Sequence, residues 1–126
     1  MHFPDHLLYT KDHLWLHPDH EQASVGITFF AQLELGGIAF VQVKKTGKHI
    51  KQGKVFGSIE AVKAVSDLFL PVSGIILELN PLLINEPELM NNDPYEKGWI
   101  IKLKPDDINE AKDLLSAARY EQLVNG

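Results

Sequence analysis

Short apolar runs broken by glycine or proline recur along most of this chain. Runs of that length suit strands, and they exclude a bundle of long helices. Alternation is clearest in Phe40-Val41-Gln42-Val43 and in Gly98-Trp99-Ile100-Ile101-Lys102-Leu103, both half-buried strand patterns. Val55 to Ile59, Leu68 to Val72 and Ile75 to Leu79 are also strand-like, with Gly53, Gly57, Gly74 and Gly98 marking turns and bulges. Three segments read as helical. Thr28 can cap a short helix from Phe29 to Leu35 that Gly36-Gly37 stops. Pro87-Glu88-Leu89-Met90 suggests one turn, with proline in a permitted first-turn position. Asp107 to Val124 is the one long helical signal, with Ile108, Ala111, Leu114, Leu115, Ala118, Leu123 and Val124 near helical spacing. Many short strands, a terminal helix and no alternating strand–helix units predict one mainly β domain.

The 126 residues are the size of one domain and can bury a core without staples. With no cysteine, thiolate metal sites, disulfides and cysteine nucleophiles are excluded, so any thiol chemistry must be carried by an attached group. Twelve basic against 17 acidic residues give a net charge of −5. The nearest thing to a basic cluster, Lys44-Lys45 with Lys48, Lys51 and Lys54, reads as a solvated strand edge, which argues against nucleic-acid binding. No apolar run is long enough to span a bilayer, and residues 1–6 lack the regions of a signal peptide. The expectation is a cytoplasmic protein, mitochondrial if the source is a eukaryote.

The stretch that carries chemistry is Gly57-Ser58-Ile59-Glu60-Ala61-Val62-Lys63-Ala64-Val65-Ser66-Asp67. Lys63 sits between two strand-like runs, where the chain must turn. A lysine at such a tip has a rigid base and an exposed amine, as a swinging-arm attachment site requires. From spacing alone, an ordinary exposed hairpin lysine remains the better reading. Glu60-Ala61-Val62-Lys63-Ala64 with Ser66-Asp67, however, resembles the lipoylation motif of glycine-cleavage H proteins. Tyr9-Thr10-Lys11-Asp12-His13 with Trp15 resembles that family's opening strand, and Val25-Gly26-Ile27-Thr28, Ala31-Gln32 and Leu35-Gly36 its first helix. Pro87-Glu88-Leu89, Asn92-Asp93-Pro94-Tyr95 and Gly98-Trp99 resemble its downstream signature, so the similarity runs in order over residues 8–124.

The resemblance implies a flattened lipoyl/biotinyl-type β-sandwich, hammerhead-like, with short helices and a C-terminal helix. Its core would span about residues 23–104 and its helical extension about 105–126. It implies lipoate attached to Lys63, with Glu60, Val62, Ala64 and Asp67 recognised on the hairpin and Leu14, Ile27 and Glu34 facing the arm's cleft. The chain would be a non-catalytic carrier in glycine catabolism. A lipoyl ligase or transferase would load it, and its clients would be glycine decarboxylase, aminomethyltransferase and dihydrolipoyl dehydrogenase. Biotin carriers usually place methionines beside the target lysine, where this chain has Val62 and Ala64. Lipoyl domains of 2-oxoacid dehydrogenases are shorter and lack the flanking signatures. The chain also departs from the family: many H proteins carry glutamate where it has Leu14, and acids are commoner where it has Gly37 and Phe29. Those departures keep open a lipoate-binding protein of bacterial sulfur oxidation, or a lipoyl donor or redox relay.

His13, His17 and His20 have spacings that would suit a metal site on a helix, but Trp15, Leu16 and Pro18 predict a strand, which splays the imidazoles; no metal is expected. Glu60 and Asp67 read better as a recognition frame than as a catalytic pair. Trp99 reads as core.

Overall fold

In a computed structural model, which describes residues 2–19 and 21–126, the chain forms two antiparallel sheets. Strands β1 (Leu8–Tyr9), β2 (Leu14–Asp19) and β3 (Gln22–Ile27) precede helix α1 (Phe29–Leu35). Then come β4 (Ile38–Val43), β5 (His49–Ile50), β6 (Val55–Ala61), β7 (Val65–Phe69) and β8 (Gly74–Leu79). Two single-turn helices, α2 (Leu82–Asn85) and α3 (Leu89–Asn92), lead to β9 (Ile101–Pro105) and to α4 (Ala117–Asn125). The larger sheet has the order β1-β2-β3-β9-β8-β5 and the smaller β4-β6-β7. This is the flattened, mainly β sandwich that the sequence predicts, with short helices and a helix at the C-terminus.

One core lies between the sheets. Leu14, Leu16, Val25, Ile27, Ile76, Ile101 and Leu103 face Val41, Phe56, Ile59 and Leu68 across it. Because side chains alternate along a strand, Trp15 points the other way, into a second cluster with Phe3, Leu7, Tyr9, Ala117 and Tyr120. That cluster covers the outer face of the start of β2 and holds α4 in place, so Leu14 to Leu16 are buried on both faces of the strand. The lysines at 48 and 51 flank the two-residue edge strand β5 and are exposed, as edge protection requires. Gly57 lets β6 pass close to β4: a Cβ there would lie 2.3 Å from the carbonyl oxygen of Gln42.

Four expectations change. The C-terminal segment is not one helix but a 3-10 helix over Ile108–Asp113, then a break, then α4. Leu115 leaves the helical path because it exchanges two backbone hydrogen bonds with Tyr9, at 2.7 and 2.8 Å, and Ser116 then caps α4 anew. The stretch resembling one opening strand is the end of β1, a turn and the start of β2, the turn being held by the Thr10 hydroxyl, which accepts from Asp12 and Leu14 N–H. The strand expected from Gly98 starts only at Ile101. Trp99 is half-buried at the margin of the second cluster, with the Lys102 amine 4.7 Å above its ring.

Candidate functional site: the Lys63 hairpin

Strands β6 and β7 pair with Glu60 opposite Val65, Ile59 opposite Ser66 and Ser58 opposite Asp67. Ile59 points into the core and is fully buried. By alternation Glu60, Val65 and Asp67 share the outward face, where Phe40 of β4 lies beside Glu60. The hairpin closes with Ala61 N–H on the Ala64 carbonyl, 2.9 Å, leaving Val62 and Lys63 at the apex. Neither apex residue has a positive φ, so this is not the primed turn that two-residue hairpins prefer.

The apex gains its rigidity elsewhere. Val62 N–H donates to the Gly37 carbonyl at 2.9 Å, and Lys63 N–H to the Leu35 carbonyl at 3.2 Å. Both apex amides are therefore tied to the end of α1 and the bend after it. The Lys63 side chain runs over Gly36, where a Cβ would stand 3.4 Å from its Cγ and Cε, and Nζ donates to the Leu33 carbonyl at 3.3 Å. Gly36 also has φ +75°, a left-handed conformation that suits glycine, and its N–H closes α1 on the Gln32 carbonyl. Asn91 fixes the same bend: its amide donates to the carbonyl of Gly36 and to Oε1 of Gln32, and accepts from Ile38 N–H.

The start of α1 is held as tightly. Thr28 Oγ1 accepts from Ala31 N–H at 3.1 Å, and the Tyr95 hydroxyl accepts from Phe29 N–H at 2.9 Å. Burial raises the Tyr95 pKa, and the bond from Phe29 partly offsets this. Pro94 of the same segment accepts from the Trp15 indole at 3.0 Å. So the Asp93-Pro94-Tyr95 signature serves the first turn of α1, two steps removed from the lysine.

Lys63, Val62, Ala64, Glu60 and Asp67 are all exposed on or beside one hairpin. Among the described residues no carboxylate lies within salt-bridge distance of Lys63, so the amine has a single weak backbone contact. The three cleft candidates are placed differently. Leu14 and Ile27 face one another across β2 and β3, but they are 1 % and 2 % exposed and lie inside the main core. Glu34 is exposed on α1, on the side of His13. Burial of both apolar side chains is favourable in itself. Of the histidines, His13 packs on Phe30 and His17 on His6, and no group of metal-ligating side chains occurs among the described residues; His20 lies outside them. The sequence reading missed Gly36 as the floor beneath Lys63, and it missed Asn91. Gly36 left a trace as a helix stop; a lone asparagine left none.

Comparison with known proteins agrees over the whole chain. A family profile described as Glycine cleavage H-protein matches residues 7–126. A glycine cleavage system H protein of Bacteroides thetaiotaomicron is 50 % identical over 126 residues, covering 100 % of both chains. One of Geobacillus kaustophilus is 43 % identical over 125 residues, covering 99 % of this chain and 98 % of the relative. The crystal structure of a glycine cleavage system H protein from Mycobacterium marinum superposes with a TM-score of 0.89 at 33 % identity, over 98 % of this chain and 100 % of that one. With sequence and fold matched from end to end, this chain belongs to the glycine cleavage H-protein family.

Proposed function

We propose that this protein is a lipoyl-lysine carrier of glycine cleavage, with lipoate joined through an amide to Lys63 Nζ. The observation that carries the reading is the braced apex: an exposed amine with one weak contact, on a turn whose two backbone amides are tied to carbonyls of another segment. The residues fit the group. Val62 and Ala64 are small or short, Gly36 leaves room beneath the stem, and among the described residues no acid competes for the amine. Acylation removes the positive charge, and the contact with Leu33 at the helix end is weak enough to give up. Lys63 Nζ would hold the group, which would supply a disulfide–dithiol pair able to carry an aminomethyl unit between the pyridoxal-phosphate decarboxylase and the tetrahydrofolate-dependent aminomethyltransferase, with dihydrolipoyl dehydrogenase restoring the disulfide.

The chain's own part is presentation. Glu60, Val62, Ala64 and Asp67 give a ligase or transferase a frame around the target, and the chain itself catalyses nothing in this reading. The carrier core is residues 23–104, with 105–126 as an extension. Among the described residues no helix is long and apolar enough to cross a membrane. The cytoplasmic location is part of the same proposal and rests on the carrier reading.

The experiment is intact-mass analysis before and after treatment with a lipoyl ligase and lipoate, followed by charging with glycine and the decarboxylase. A gain of one lipoyl group, mapped to Lys63, and then of the aminomethyl unit supports the reading. Leu14 favours the alternative, since among the described residues the core beside α1 then holds no carboxylate. A protein that is lipoylated but never charged from glycine is the lipoyl donor or sulfur carrier instead.

A further inference from the structure

His13 is the one non-glycine residue with positive φ among those described, at +70°. Such a conformation costs an L-residue energy unless its surroundings enforce it. Here they do. His13 N–H donates to the Thr10 carbonyl, its own carbonyl accepts from Thr28 N–H, and its ring packs 4.8 Å from that of Phe30 on α1. Nδ1 lies 2.8 Å from the Tyr120 hydroxyl of α4, and that hydroxyl lies 2.8 Å from Thr28 Oγ1. Thr28, fully buried, accepts from Ala31 N–H.

Counting protons gives this chain a direction. Thr28 Oγ1 accepts from Ala31 N–H, and its one other partner among the described residues is the Tyr120 hydroxyl; with His13 in the neutral tautomer that carries its hydrogen on Nε2, Tyr120 donates to Nδ1 and Thr28 donates to Tyr120. If His13 gains a proton at Nδ1, Tyr120 must accept there and turn its hydrogen on Thr28. The Thr28 proton then has no acceptor among the described residues, in a site without water access.

We infer that His13, Tyr120 and Thr28 form a positioning relay for Lys63: with His13 neutral it clamps the start of α1 to α4, and a proton on His13 loosens the brace that the far end of α1 gives the hairpin. A helix of seven residues has little stability alone, so its two ends determine where it sits. The titratable groups facing His13 are Asp12 in its own turn, Glu34 on α1 and Tyr120 on α4. The two acids favour the charged ring, but burial outweighs them and holds its pKa below the ordinary 6.5. The contribution of neutral His13 is therefore complete above 6.5 and declines as pH falls below it. Its bearing on acylation rests on the carrier reading; the brace itself does not.

Native-state hydrogen exchange of the Val62 and Lys63 amides tests this, corrected for intrinsic exchange, in wild type, Tyr120→Phe and His13→Asn. Phenylalanine keeps the ring packing and removes the hydroxyl. Asparagine tolerates positive φ, keeps a polar atom near Nδ1 and does not titrate. Protection of the two amides should fall roughly fivefold in wild type between about pH 8 and about pH 5, the size of one hydrogen bond. It should stay level in His13→Asn, and start roughly fivefold lower in Tyr120→Phe without a pH step. A shared profile for wild type and His13→Asn, or unchanged protection in Tyr120→Phe, overturns the relay. Ligase-catalysed acylation is followed on the same samples. If Lys63 is never acylated while the exchange pattern holds, the carrier reading fails and the relay stands; acylation without the pattern leaves the carrier and removes the relay.

Discussion

Lys63 and Leu14 are the two residues on which the proposed chemistry turns, and the structure treats them oppositely. Lys63 has solvent on most sides and one weak contact at its amine. Lys63→Arg should keep the fold, with a change in unfolding free energy within about 0.5 kcal/mol, and abolish lipoylation, as peptide mapping would show. Acylation on Lys54 or any other lysine would contradict it. Leu14 is 1 % exposed and packed on Ile27. Leu14→Glu should cost about 3 kcal/mol near neutral pH, because a carboxylate at this place lacks a partner. The penalty should shrink in acid, where protonation removes the charge, and urea unfolding at two pH values would show it.

At the scale of elements, the hairpin and the terminal helix differ in how well the sequence announced them. Strands β4, β6 and β8 were legible because each is a few apolar residues between glycines or prolines, whereas the strand expected over Leu68–Val72 is β7 over Val65–Phe69. The stop at Gly36-Gly37 was legible because a helix that ends in positive φ favours glycine. The brace was not, since Val62 and Lys63 meet Gly37 and Leu35 through backbone atoms alone, and backbone contacts leave no residue signature. The long C-terminal helix failed for another reason. Leu114 and Leu115 fit helical spacing, yet pairing of Leu115 with Tyr9 overrides local preference, and the true buried face of α4 is Ala117, Tyr120 and Val124 rather than Ala118. On the hairpin itself, Glu60 and Asp67 point outward, and no hydrogen bond to either side-chain carboxylate is among those described. Replacing both with alanine should slow ligase-catalysed lipoylation several-fold while moving the thermal midpoint little, as for surface positions. The reverse pattern would make the two acids structural.

Across the whole molecule, the second cluster is what joins the ends of the chain to the sandwich, and it is built around phenols. Burial, chiefly, pushes Tyr120 up to about 12 and Tyr9 higher still. A raised folded value means that their contribution is complete below the ordinary 10.0 and is lost as pH climbs through the folded value. Alkaline titration should therefore release α4 between about pH 10 and 12, seen as tyrosinate absorbance rising together with loss of helical signal. Tyrosinate appearing well before the helix is lost would mean that the phenols do not hold it.

The tying of both apex amides to carbonyls of another segment makes the anchor point a fixed pivot. All travel open to a load is then one extended side chain, sweeping a shell about a single point rather than a diffuse cloud. Confinement of that kind makes encounters frequent within the shell and forbids them beyond it. In the proposed carrier role, a client enzyme would have to bring its reacting centre within one tether of this pivot, which would act as a ruler for the reach of the arm.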